Sequence, residues 1–137
     1  MCTCHDGRVN ERVREAAEVA VVRELEALVP RWMTLEEVAG ALSLAPSQVR
    51  RLLQDRDLVG VRRGRPVQLQ IPQDFVQPTL LPALAGTVTV LLDSGFSEAE
   101  VIRWLFTEQE GLDGTPVSEL RAGHKTEIRR RAQSLAF

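Results

Sequence analysis

The run LEEVAGALSLAPSQVRRLLQ, residues 35–54, constrains the fold more than any other part of the chain. Thr34 ahead of Leu35-Glu36-Glu37 has the form of a capping box, in which the hydroxyl accepts from the third amide and the glutamate reaches back. This opens a short helix over roughly 35–42. Pro46 suits the first turn of a second helix, where its missing N–H costs nothing, and that helix runs to about Asp55. Only Ser43, Leu44 and Ala45 lie between the two, so the helices must pack on each other at a steep angle. Ala39 is small where they touch, Leu42 and Leu44 flank the turn, and Val49 and Leu52 bury the inner face of the second helix. These offsets are those of a helix-turn-helix. One position departs from the pattern: the turn residue usually filled by glycine is Ser43, less comfortable if the backbone there is left-handed.

With Val49, Leu52 and Leu53 facing inward, the second helix presents Ser47, Arg50 or Arg51, and Gln54 outward as i, i+3/i+4 and i+7 neighbours, with Gln48 beside them. Such side chains suit base edges: arginine bonds guanine bidentately, glutamine pairs with adenine, and serine contacts base or phosphate. Two strands are expected next, over 57–61 and 67–71. The alternation of Val67, Leu69 and Ile71 with Gln68 and Gln70 supports the second of them. Arg62, Arg63 and Arg65 then fall on the hairpin tip, residues 62–66, where guanidinium forks match phosphate oxygens or enter a minor groove.

Charge distribution agrees with this reading although total charge does not. The chain carries a net charge of −2. Residues 1–49 hold 5 basic and 8 acidic side chains, and residues 66–137 hold 6 basic and 9 acidic. Residues 50–65 hold six arginines against Asp55 and Asp57. A basic island in an acidic chain marks a local binding surface or a solvated face.

Elsewhere the chain reads as helical. A helix over 10–29, capped by Asn10 and stopped by Pro30, bears an apolar stripe of Val13, Ala16, Ala17, Ala20, Val21, Leu25 and Leu28. It should dock on the helix-turn-helix or pair with a second copy. Further helices are expected over 83–93, from Ser97 to about Thr107, after Thr115-Pro116, and from His124 to Ala136, with a helical turn over 73–77. Arg129, Arg130 and Arg131 offer an auxiliary phosphate contact or a solvated face. The expected fold class is mainly α. It comprises a winged helix-turn-helix with a two-stranded β-hairpin wing and additional C-terminal helices packed on it. Its divisions are 1–33, an N-terminal helical extension; 34–77, the winged helix; and 78–137, a C-terminal helical region.

Several function classes fall away. No apolar run approaches the roughly 18–20 residues that span a bilayer, and the polar residues 1–10 lack the core of a secretory signal. The chain is therefore expected in the cytoplasm, associated with the nucleoid. Cys2 and Cys4 are too close for an unstrained disulfide, and with His5 and the remote His124 they do not make a zinc set. No cofactor, metal or catalytic residue is expected. The chain has no glycine-rich phosphate loop and no nucleophile in a recognisable turn. The competing reading is a protein-interaction module, antitoxin-like or dimerising, without DNA readout.

The stretch 34–72, with its run DLVGVRRGR, is similar to the winged helix-turn-helix of the MerR and excisionase-like group. The segments VQLQIPQDFV, LLDSGFSEAEVIRWLFT and HKTEIRRRAQSLAF extend the likeness to residue 137. They resemble an actinobacterial family of winged-helix DNA-binding proteins whose mycobacterial member is a serine/threonine-kinase substrate. The piece VIRWLF, residues 101–106, is the most specific. The resemblance implies DNA binding, a role as transcriptional regulator and no enzymatic activity. The partners it brings into view are double-stranded DNA, a second copy of the chain and a serine/threonine protein kinase, with no membrane. The family's flexible, phosphorylated N-terminal segment does not align here, where Thr3 is the one threonine before Thr34.

Overall fold

A computed structural model describes residues 3–135. Cys2, and with it the reading of a reduced Cys2/Cys4 terminus, lies outside the described residues. So does Ala136, the expected end of the last helix.

The helix-turn-helix forms as its local signals dictate. In α2 (Leu35–Leu42) the Thr34 hydroxyl accepts from the Glu37 amide at 3.2 Å, and Glu37 accepts from the Thr34 amide at 2.9 Å. Ser43 takes the left-handed conformation at φ 56°, and Leu44 N–H donates to the Ala39 carbonyl at 2.9 Å. α3 (Pro46–Gln54) starts on Ala45, whose side chain cannot cap. The Gln48 side chain supplies the reciprocal half of a box instead, accepting from the Ala45 amide at 2.8 Å. Val38, Ala39 and Val49 are buried between the two helices.

The wing differs from the expected register. Arg56, at φ 63°, turns the chain out of α3, and the amides of Asp57 and Leu58 donate to the Leu52 carbonyl at 2.9 and 3.2 Å. Residues 57–58 thus complete the helix end instead of pairing, and the strand begins later: β2 is Val61–Arg63 and β3 is Gln68–Pro72. The tip shifts to residues 64–67, so Arg62 and Arg63 are strand residues and Arg65 alone of the three stands on the turn. Gly64 takes φ 90° there, a conformation that suits glycine. Gly60, at the root of β2, lies so close to β3 that a Cβ would come within 2.7 Å of the Gln70 carbonyl oxygen.

A third strand, β1 (Trp32–Thr34), also departs from the two-stranded expectation. It pairs antiparallel with β3, Met33 opposite Ile71, and gives the order β1-β3-β2. Both of those side chains are buried. The strand carries two residues of the expected N-terminal extension into the sheet.

The first helix begins earlier than expected. α1 is Thr3–Leu28, so residue 10, the expected cap, falls within the helix and not at its start. Only the second half of its apolar stripe is used. Val21 and Leu25 are buried and Leu28 is half-buried, whereas Val13, Ala16, Ala17 and Ala20 are exposed. The docked half packs mainly on α5 (Glu98–Phe106) in the C-terminal region.

A 3₁₀ turn (Gln73–Phe75) leads from the sheet to α4 (Leu84–Asp93), α5, α6 (Pro116–Arg121) and α7 (Lys125–Ser134). Ser97 and Thr115 cap α5 and α6 through the amides of Glu100 and Ser118, both at 3.2 Å. The helices share one core with the winged helix. Phe75 stacks obliquely on Phe106, ring centroids 5.5 Å apart. Arg121 stitches the joint by donating to the carbonyls of Asp74 and Gln77 and to the Thr79 hydroxyl, at 2.9, 3.2 and 3.1 Å.

Candidate nucleic-acid interface

α3 divides cleanly between core and solvent. Val49 is buried and Leu52 and Leu53 are half-buried, while Ser47, Gln48, Arg50, Arg51 and Gln54 are exposed. Their freedom to meet a ligand differs. The Gln48 amide oxygen is occupied by its cap. Arg51 makes a loose pair with Asp55 at 3.8 Å, and both are largely in water, so the pair is worth little and Arg51 can leave it. Arg50 has no ion-pair partner among the described residues.

The three wing arginines separate by strand alternation. Arg62 sits opposite Leu69, and Arg63 sits opposite Gln68. The two guanidinium groups therefore leave the sheet on opposite faces. Arg62 is exposed and, with Gln54 of α3, Leu69 and Arg56, lines a groove of about 430 Å³. Arg65 is exposed on the turn. Arg63 turns inward: its side chain is 17% exposed and its guanidinium lies 4.6 Å from the Trp32 ring centre. Glu26 of α1 accepts from it through both carboxylate oxygens at 2.5 Å, and the Gln70 amide oxygen accepts at 2.6 Å. Arg56, also in the basic island, pairs with Asp93 at 3.1 Å and ties the end of α3 to α4. The island's outward charge thus narrows to Arg50, Arg51, Arg62 and Arg65.

Acidic groups not anticipated from sequence also face this surface: Glu18 of α1 and Glu98 line a groove with Arg62. Glu98, on the first turn of α5, also lines the groove shared by Gln54 and Arg62. Partial burial and the neighbouring Glu18 of α1 raise its pKa, and Arg56 opposes them. A carboxyl whose folded pKa is raised contributes stability below the ordinary carboxylate range and loses it as pH rises through the raised value. Glu98→Gln is therefore expected to gain stability over wild type as pH rises from 4 to 7, measured by urea unfolding. It should also bind polyanions more tightly at neutral pH, with the advantage shrinking toward pH 4. An advantage independent of pH would contradict this account.

The C-terminal arginines are mostly engaged. Arg130 and Arg131 both donate to Glu127, at 2.8 and 2.7 Å, and hold its pKa down. Arg131 also donates to the Glu110 carbonyl at 2.6 Å. Arg129 is exposed. No cluster of metal-ligating side chains occurs among the described residues, and no described helix is long and apolar enough to cross a membrane.

Comparison with known proteins adds an independent line. Residues 25–76 match a family model described as the winged helix-turn-helix domain of DNA-binding protein Rv2175c. Residues 81–136 match one described as the Rv2175c C-terminal domain of unknown function. The DNA-binding protein Rv2175c of Mycobacterium tuberculosis is 36% identical over 117 residues, spanning 75% of this chain and 79% of the relative. The NMR structure of Rv2175c superposes with a TM-score of 0.69 at 32% identity, over 78% of this chain and 82% of the other. With both of its segments matched and the likeness running through most of its length, the chain belongs to the Rv2175c family.

Proposed function

We propose that the chain binds double-stranded DNA as a non-enzymatic regulator of transcription in the nucleoid. α3 enters the major groove with Ser47, Arg50, Arg51 and Gln54, and Arg62 and Arg65 hold the backbone or the minor groove. Residues 34–77 do the reading, and residues 78–137 brace them. The observation that carries the proposal is the groove shared by Gln54 and Arg62, which joins the outer face of α3 to the wing in one surface. The relative's name, DNA-binding protein, supports it. A homodimer would use the exposed outer half of α1, at Val13, Ala16 and Ala20. A kinase would act at Thr3.

Fluorescence anisotropy of the purified chain on a labelled random duplex tests the proposal. Nonspecific binding at physiological salt should fall in the range of about 10⁻⁴–10⁻⁶ M. The two wing arginines on phosphates would give a slope of log K against log salt of about −1.8. No binding at low salt, or binding indifferent to salt, would overturn the assignment.

A further inference from the structure

We propose that Glu26 is a positioning residue for DNA binding, fixing the wing through Arg63 without itself meeting DNA; the proposal rests on the wing's assignment as part of the DNA surface. Four elements converge on the Arg63 guanidinium: Glu26 from α1, Trp32 from β1, Gln70 from β3, and β2 itself. Nε, Nη1 and Nη2 are all donating, Nε to Glu26 at 3.1 Å. The Trp32 Nε1 is buried with no hydrogen-bond partner among the described residues. Its ring is thus held by packing and by the cation above it, not by its own N–H.

The consequence follows from strand geometry. Arg63 ends β2, so holding its side chain on the face of Gln70 and Trp32 keeps Arg62 on the opposite face beside Leu69 and sets the angle at which the turn bearing Arg65 leaves the sheet. α1 is in turn anchored on α5 by buried Val21 and Leu25 and by the Glu24–Arg103 pair at 3.1 Å. Glu26, 37 residues before Arg63 in sequence, therefore couples the wing through α1 to the C-terminal helices. The alternative is that Glu26 merely masks a phosphate-binding arginine, and the two cases have opposite signs. Removing a mask frees a cation and strengthens binding. Removing a positioning contact lets the wing drift and weakens binding, even though a negative charge has been deleted.

The full-length variants Glu26→Gln, Arg63→Gln and their double variant are to be titrated with a random duplex across salt, beside Arg65→Ala. Remote contacts of this kind shift binding by about 0.5–2 kcal/mol, on the order of 2- to 30-fold. We expect both single variants to weaken binding in that range. The double variant should be no worse than either single, because both break one contact, and the salt slopes should stay within half a unit of wild type. Amide exchange should quicken at residues 61–63 and not in α4–α7. Where Arg63→Gln does not fold, Arg63→Lys replaces it: the charge remains, the bidentate fork is lost, and the same weakening is expected. Tighter binding by Glu26→Gln, or a slope lowered by about one unit in Arg63→Gln, overturns the proposal in favour of masking. Unchanged binding by Glu26→Gln overturns it too. If Arg65→Ala weakens binding in that case, the wing's DNA role stands and only the latch falls; if Arg65→Ala is also neutral, the wing's DNA role falls with it.

Discussion

Replacing Arg50 and Arg51 together with alanine is expected to cost about 2–6 kcal/mol on a preferred DNA site, and far less on random duplex. Each bidentate base contact discriminates by about 1–3 kcal/mol, and the two side chains stand on the exposed face of a helix whose other face is buried. A preferred site can be obtained by selecting from a random pool with the wild-type chain. The wing should fail differently. Arg62→Ala with Arg65→Ala should weaken specific and random duplexes alike. The pair should also flatten the salt slope by about two units, near one for each phosphate no longer neutralised. Neither pair touches the core, so circular dichroism melting should match wild type. Two folded double variants that both bind like wild type would remove the DNA assignment from this surface.

Phe75→Ala is expected to destabilise the chain by about 3–5 kcal/mol, a large part of the roughly 5–15 kcal/mol that holds a domain together. The ring is fully buried. It lies where the 3₁₀ turn leaves the sheet, against Phe106 of α5, so both halves of the molecule lose a packing partner. Trp32 lies in β1 and Trp104 in α5, and each half can be followed separately in single-tryptophan variants. With Phe75 in place the two variants' urea transitions should coincide, as in a cooperative unit, and adding Phe75→Ala should move both to lower urea by the same amount. Should the Trp104 transition move while the Trp32 transition stays, the two halves are independent units and the shared core is not cooperative.

What could be read from sequence was what is satisfied within a few residues. The capping boxes at Thr34 and Ser97, the Thr115 cap and Pro46 placed the starts of four helices correctly, because donor and acceptor lie three residues apart. The division of α3 into core and solvent faces was legible for the same reason. β1 was not, since three residues carry no visible period and their partner strand lies nearly forty residues onward. The wing register was missed because the left-handed Arg56 makes residues 57–58 finish a helix, and an arginine gives no warning of that conformation. The fate of Arg63 depends on a glutamate 37 residues away in another element. Likewise, an apolar stripe announces that α1 docks but not that its partner is α5 and that Val13, Ala16, Ala17 and Ala20 are left bare. Local periodicity states that a face is buried; the choice of what covers it is made by the whole chain.

The grouping of four exposed arginines on α3 and the wing of a net-negative chain has a kinetic consequence. At about 0.01 M ionic strength the screening length is about 30 Å, long enough for a duplex to feel the whole molecule, whose net charge of −2 repels it. At about 0.1 M the length falls to about 10 Å, and a phosphate senses only the side turned toward it. A uniformly cationic protein is captured ever more slowly as salt is added. This chain should instead associate fastest at an intermediate ionic strength, where the net negative charge is screened from the duplex and Arg50, Arg51, Arg62 and Arg65 are not.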